Sequence, residues 1–165
     1  DAACMGYDPN YKMNPPLRPA DHVEALLAGV ADGAIDCLVS DHAPHRAEEK
    51  EIEFVAAPSG IIALECSLGL FAKALVHSGR LSWPAMLAKM TDGPRDVIGR
   101  PRVAVAEGNS ADLTLIDPDV EWTVDVASFR SKSRNCPYHG WRLKGRPVIT
   151  VLEGKVKFEL GAVAD

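Results

Sequence analysis

The sequence predicts an α/β protein that ends in a small β unit, and three observations carry that prediction. An apolar run without alternation, Ile35 to Ser40, lies between stretches of helical periodicity, the pattern of a strand buried on both faces of a parallel sheet. A second strand candidate, Tyr11 to Asn14, precedes the first helical stretch, so strands and helices alternate along the chain. Past Gly99 helical periodicity gives way to short runs of β-forming residues.

Taken in order, Tyr11-Lys12-Met13-Asn14 reads as a short strand stopped by Pro15-Pro16, since proline removes a ladder donor. Asp21 to Ala31 reads as a helix. Val23, Leu26, Leu27 and Val30 fall on one face, Asp21 is placed as N-cap with Glu24 at N3, and Gly33 ends it. After a polar loop, a long helix is expected from about Gly60 to His77, with Leu64, Leu68, Phe71 and Leu75 inward and Gly79 as its stop. Ser82 caps a further helix through Met90, and Thr91 to Gly99 gives a short last one. Ala111 to Ile116, Glu121 to Val124 and Pro147 to Leu160 read as strands, the last folded into a hairpin at Glu153-Gly154.

Composition narrows the function classes. At 165 residues the chain is long enough for one domain with a sizeable core. A net charge of -5, with Lys and Arg dispersed, argues against a nucleic-acid or membrane-surface role. The most apolar stretch, Ile61 to Val76, is interrupted by Glu65 and Lys73, and the start carries no signal-peptide pattern. Cys4, Cys37, Cys66 and Cys136 have neither metal-like spacing nor disulfide-scaffold density, and read as small buried side chains in a reducing cytoplasm. The opening Asp1-Ala2-Ala3-Cys4 has no initiator Met and is expected to mark a cut within a longer protein.

The sharpest chemical feature is Cys37-Leu38-Val39-Ser40-Asp41-His42-Ala43-Pro44-His45. A strand ending in a carboxylate, followed by two histidines, suits the mouth of a β/α barrel, where polar side chains gather at strand C-termini. Alternation puts Asp41 on one face with Cys37 and Val39. Such a carboxylate can ligate a divalent metal, or take a proton from metal-bound water and pass it to a leaving nitrogen. The competing reading is that Asp41 caps the following loop and that His42 and His45 are solvated.

Asn14, at the end of the first strand candidate, offers an amide that both donates to and accepts from a cyclic amide, although Asn before Pro is also a common turn former. Ala57-Pro58-Ser59-Gly60 lies at the expected start of the long helix, where backbone N–H groups suit an oxygen of a ligand; a plain junction explains it equally well. His22, His77 and His139 lack metal-like spacing and read as structural or solvated. A hydrolytic zinc site needs three or more protein ligands, and Asp41 is the one convincing candidate.

Five segments then carry a resemblance: KMNPPLR (Lys12 to Arg18), SDHAPH (Ser40 to His45), APSGI (Ala57 to Ile61), GNSADLTLID (Gly108 to Asp117) and SKSRNCPYHG (Ser131 to Gly140). Their order resembles that of the dihydroorotases, class I, of the amidohydrolase superfamily, and the pairing of NPPLR with DHAPH is its most specific part. The resemblance implies the C-terminal part of a TIM-like (β/α)8 metal-dependent hydrolase barrel plus part of a small β-sandwich domain. Residues 1–102 would be the last strands and helices of the barrel, and 103–165 the C-terminal portion of the composite β domain. It implies reversible hydrolysis of (S)-dihydroorotate to N-carbamoyl-L-aspartate in de novo pyrimidine synthesis, at one or two zinc ions.

By the same resemblance Asp41 is the catalytic and metal-binding carboxylate, while Asn14, His45, Pro58 and Gly60 bind substrate. The remaining zinc ligands would lie upstream, so the chain alone is expected to be inactive and to need the N-terminal part of the same enzyme. Ser40 stands where Thr is commoner, and Ser59 where Phe is usual. A homodimer or an aspartate transcarbamoylase partner, and a cytoplasmic location, are compatible. A catalytically silent subunit scaffolding aspartate transcarbamoylase, or a hydantoinase-type cyclic amidohydrolase, are the alternatives.

Overall fold

A computed structural model describes residues 6–161 of the chain. Two short apolar cores organise it. One gathers Val30, Leu68, Ala72, Leu75 and Met86 between helices, and the other gathers Ile62, Cys66, Val124, Val126, Phe129, Cys136 and Leu143 against the sheet.

The helices follow the periodicity with shifted ends. Helix α1 spans Ala20–Asp32 and stops at Gly33 in the left-handed conformation, but its N-cap is Pro19, without a side-chain cap, rather than Asp21. Of its expected inner stripe Val30 is buried, whereas Val23 and Leu26 are 44% and 54% exposed. A four-residue helix α2 spans Ala47–Lys50. The expected long helix begins only at Ser67: α3 spans Ser67–Phe71 and runs into a π-helical turn, Ala72–Val76. Residues 60–62 cannot join it because Gly60 has φ +120°, and the Ile61 carbonyl and Ile62 N–H are bonded to Ala43 and Asn135. Leu64, expected inside, is exposed as a result. Helix α4 spans Trp83–Met90 with the Ser82 hydroxyl accepting from the Ala85 N–H, and α5 spans Asp92–Val97.

The C-terminal strands form an antiparallel sheet in the order β1-β2-β3. Strand β1 covers Leu113–Thr123, joining the two runs expected to be separate through an irregularity between Asp117 and Glu121. Strand β2 spans Arg142–Leu152 and so starts five residues before the expected Pro147; β3 spans Lys155–Glu159. The hairpin turn falls at Glu153-Gly154, both with positive φ (50° and 74°), as a two-residue type I′ turn requires. Helices α3 and α4 lie against β2, where Gly69 faces Leu143 and the Trp83 ring covers Gly145.

Both strands expected in the first half lack a ladder among the described residues. Pro9–Tyr11 is a 3₁₀ turn capped by the Asp8 carboxylate, and Lys12 to Asn14 continue as loop. Ile35 to Ser40 is irregular; among the described residues its N–H and C=O groups find only the Lys89 carbonyl, the Lys89 ammonium and Gly29. The one parallel bridge joins His42 to Ile61. A strand is a pairing, and an apolar run cannot form one without a neighbour to complete its hydrogen bonds. Without a ladder the pleat is not enforced either. Cys37 packs beside Gly93 on α5, while Val39, Ser40 and Asp41 turn together to a common cavity.

Candidate active site

That cavity, of about 300 Å³, is lined among others by Met13, Asn14, Ser40, Asp41, Gly60, Ile61, Phe71 and Tyr138. It thus brings together three of the five residues singled out from the sequence: Asp41, Asn14 and Gly60. Asp41 and Asn14 both expose their side chains, and among the described residues the Asp41 carboxylate makes no hydrogen bond or ion pair that would mark it as a loop cap. An exposed carboxylate and amide on a largely apolar wall are what a small polar ring needs for orientation. Ser59, the departure from the usual Phe, is outside this lining; Ile61, Leu70, Phe71 and Tyr138 supply the apolar wall.

His45 and Pro58 are not on the cavity wall. His45 sits beside Gly60, its Nε2 3.0 Å from the Ser59 carbonyl and its Nδ1 3.6 Å from Glu49. A carbonyl only accepts, so Nε2 carries the proton. The Pro58 carbonyl accepts from the Lys50 ammonium at 2.8 Å. Gly60 is required on two counts: its φ of +120° excludes side-chain residues, and a Cβ there would stand 2.6 Å from the Ala43 Cβ. Its position is no helix entrance, since α3 starts at Ser67; both backbone groups are bonded internally, the N–H to Lys12 and the carbonyl to Asn135.

The site loops are held by side chains that sequence spacing did not single out. Asn135, 5% exposed, donates to the Ala43 and Gly60 carbonyls (2.9 and 3.2 Å), accepts from the His45 N–H, and takes the Ile62 N–H on its own carbonyl. His42 is not solvated: its Nδ1 accepts from the Ala63 and Leu64 N–H groups, at 3.3 and 3.4 Å. Lys50, 6% exposed, bonds the Pro9 and Pro58 carbonyls, and Lys12 bonds those of Val55 and Ala57. Burial, with the nearby Lys12 charge, holds the Lys50 ammonium below its ordinary pKa. The signal for Asn135 lay in SKSRNCPYHG, but nothing in that segment shows which loops, 90 residues away, it would join.

Tyr138 closes the cavity beside the buried thiols Cys66 and Cys136. Burial first, then those thiols, raises the Tyr138 phenol above its ordinary pKa. A hydrogen bond with Cys136, then burial, holds the Cys66 thiol well above its own. Cys37 is half-buried, and Cys4 lies outside the described residues. His77 bonds the Lys144 carbonyl, and the exposed His139 accepts from the Val126 N–H.

Among the described residues no three His, Cys, Asp or Glu side chains are grouped to hold a metal ion. Asp41 offers one carboxylate, and one donor does not hold zinc. No helix among them is long and apolar enough to cross a membrane.

No protein-family profile matches the chain. Curated relatives do: it is 47% identical over 161 residues to the dihydroorotase of Geobacter sp. (strain M21), covering 98% of this chain and 38% of that protein. The dihydroorotase of Pelotomaculum thermopropionicum is 46% identical over 94% of the chain. Among solved structures, the L-hydantoinase (dihydropyrimidinase) of Arthrobacter aurescens superposes with a TM-score of 0.89 at 32% identity, over 99% of this chain and 38% of that one. The D-hydantoinase of Thermus sp. follows at 0.79 and 28% identity, over 94% of this chain and 35% of its own. The chain therefore spans under two fifths of the length of the relatives it matches, and over that span it is similar in sequence to dihydroorotases and in fold to hydantoinases.

Proposed function

We propose that this chain is the C-terminal part of a dihydroorotase and contributes to the reversible hydrolysis of (S)-dihydroorotate to N-carbamoyl-L-aspartate. The observation that carries this is the meeting of Asp41 and Asn14, whose side chains have no hydrogen-bond partner among the described residues, on one small cavity with a largely apolar wall. In this reading Asp41 accepts the proton of the attacking water and returns it to the ring nitrogen as the amide C–N bond breaks. Asn14 pairs with the ring amide, and the Gly60 turn forms the adjoining wall. His45, beside the cavity on a loop held by Asn135 and Ser59, is assigned to the substrate carboxylate, and the Pro58 backbone to the ring.

The finer architecture belongs to the same proposal. Residues 1–102 would complete a (β/α)8 barrel and 103–165 a composite β domain, each with the part of the dihydroorotase length that this chain does not span. The unpaired Ile35 to Ser40 segment and the 69% exposed Val39 support this, since both await a neighbouring strand. Zinc, liganded mostly by those other residues with Asp41 as one carboxylate, would polarise the scissile carbonyl. The enzyme would act in the cytoplasm, as a homodimer or with aspartate transcarbamoylase.

The 0.89 superposition on a hydantoinase keeps a hydantoin-type substrate as the second reading. A silent scaffold has no physical use for an unpartnered carboxylate at this cavity. The test is a chimera in which this chain replaces the matching 38% of Geobacter sp. dihydroorotase. Hydrolysis of dihydroorotate at least tenfold faster than of hydantoin or dihydrouracil is expected. A folded, zinc-loaded chimera that prefers hydantoin would install the second reading, and one inert to all three would remove the proposal.

A further inference from the structure

A second cavity, of about 320 Å³, lies on the other side of the His45 loop, and of the residues assigned to the chemistry above it shares His45 alone. Its lining includes His45, Arg46, Lys50, Lys132, Ser133 and Arg134. Four full cations line it against one carboxylate, Glu51, in a chain whose net charge is -5. Lys50 is spent on the Pro9 and Pro58 carbonyls, and one Arg134 nitrogen on the Ser131 and Ser133 carbonyls. Arg46 and Lys132 have no ion pair or side-chain hydrogen bond to a carboxylate among the described residues, and both are exposed. Cations crowded around a concavity repel one another, and the arrangement is stabilised by an anion placed between them.

We propose that this cavity binds a small oxyanion with two or more negative charges, using Arg46, Lys132 and Arg134 as its cations and the Ser133 hydroxyl as a further donor. Guanidinium and ammonium donors around one pocket suit phosphate or carboxylate oxygens. The two sources of such chemistry are a phosphate-bearing molecule and a dicarboxylate; the second rests on the proposed reaction, whose product is a dicarboxylate. Through His45 and Asn135, which line this cavity and touch the Gly60 turn, the bound anion adjoins the Asp41 site without entering it.

The experiment is isothermal titration of the completed enzyme, this chain joined to the remainder of a dihydroorotase, with inorganic pyrophosphate and separately with N-carbamoyl-L-aspartate. The double variant Arg46→Gln, Lys132→Gln is compared, both positions lying outside the catalytic site. Loss of two charge-assisted contacts should weaken the pocket's ligand by about tenfold or more, and the parent's affinity should fall as salt is raised. Weakened pyrophosphate with unchanged carbamoyl aspartate identifies a phosphate site; weakening of carbamoyl aspartate identifies a dicarboxylate site. Affinities for both probes unchanged in a variant of unaltered circular dichroism would overturn the proposal. Pyrophosphate binding by an enzyme inert to dihydroorotate would sink the functional reading and leave this one standing.

Discussion

The two ends of the molecule are held together by different means. From Leu113 to Glu159 the chain supplies its own partners, with β2 paired on both sides and Leu143, Val124 and Cys136 sealed beneath it. From Pro9 to Ile62, where the candidate site lies, backbone ladders give way to side chains that reach across to backbone groups: Lys12, Lys50, Lys89 and Asn135 donate to carbonyls, and His42 accepts from N–H groups. Ladders are redundant, because each bond is one of a row. A site held by single side chains is not, and each such residue is a separate point of failure. The difference teaches that the functional region is the fragile one, and that its order depends on the C-terminal region through Asn135.

Variants can break or sharpen that contrast. Leu143→Ala strikes the core shared by sheet and loops; a buried Leu→Ala costs about 2–5 kcal/mol, and urea denaturation should show the loss by every probe at once. Gly60→Ala should cost about 2–4 kcal/mol, combining an excluded φ with the Ala43 clash. Hydrogen exchange should locate its effect in residues 42–45 and 59–62 and leave the β2 amides protected. Asn135→Ala leaves two carbonyls without their donor and should cost about 2 kcal/mol. Its signature is a kcat loss larger than the loss of sheet stability; equal exchange changes in β2 would erase the contrast.

The smallest effect is one of pH. Tyr138 has a folded pKa raised above its ordinary value of 10.0. Between that value and the folded one the unfolded chain has lost the proton and the folded chain keeps it. Stability is therefore constant below pH 10 on this account and falls as pH rises beyond it. Tyr138→Phe should flatten that slope, as read from urea midpoints between pH 9 and 11.

How much of this was legible in the sequence follows from the same contrast. The β1–β3 meander and its Glu153-Gly154 turn could be read because their signals are local: alternation, a glycine, and a partner within reach. Helices α1, α4 and α5 were legible for the same reason. The strands expected at Tyr11 to Asn14 and Ile35 to Ser40 were not realised, because an apolar pattern states a preference for pairing and does not supply the partner. The long helix began late because Gly60, read as a helix entrance, is a positive-φ turn packed against the Ala43 side chain. Asp41, Asn14 and Gly60 were singled out because they carry motif chemistry, and the structure puts all three on one cavity. Asn135 and Lys50 were missed because bonding a distant carbonyl leaves no periodic trace, and His42, though part of the sharpest motif, gave no sign that it accepts from the Ala63 and Leu64 N–H groups.

The central claim is that Asp41 acts chemically and bears no structural load. Asp41→Asn in the completed enzyme tests it, with kcat for dihydroorotate and the urea midpoint measured on the same preparation. General acid–base catalysis is worth about 10²–10⁴ in rate, so kcat should fall by about a thousandfold while the midpoint stays where it was. A variant that keeps kcat within about threefold, or loses activity only because it unfolds, would contradict the account.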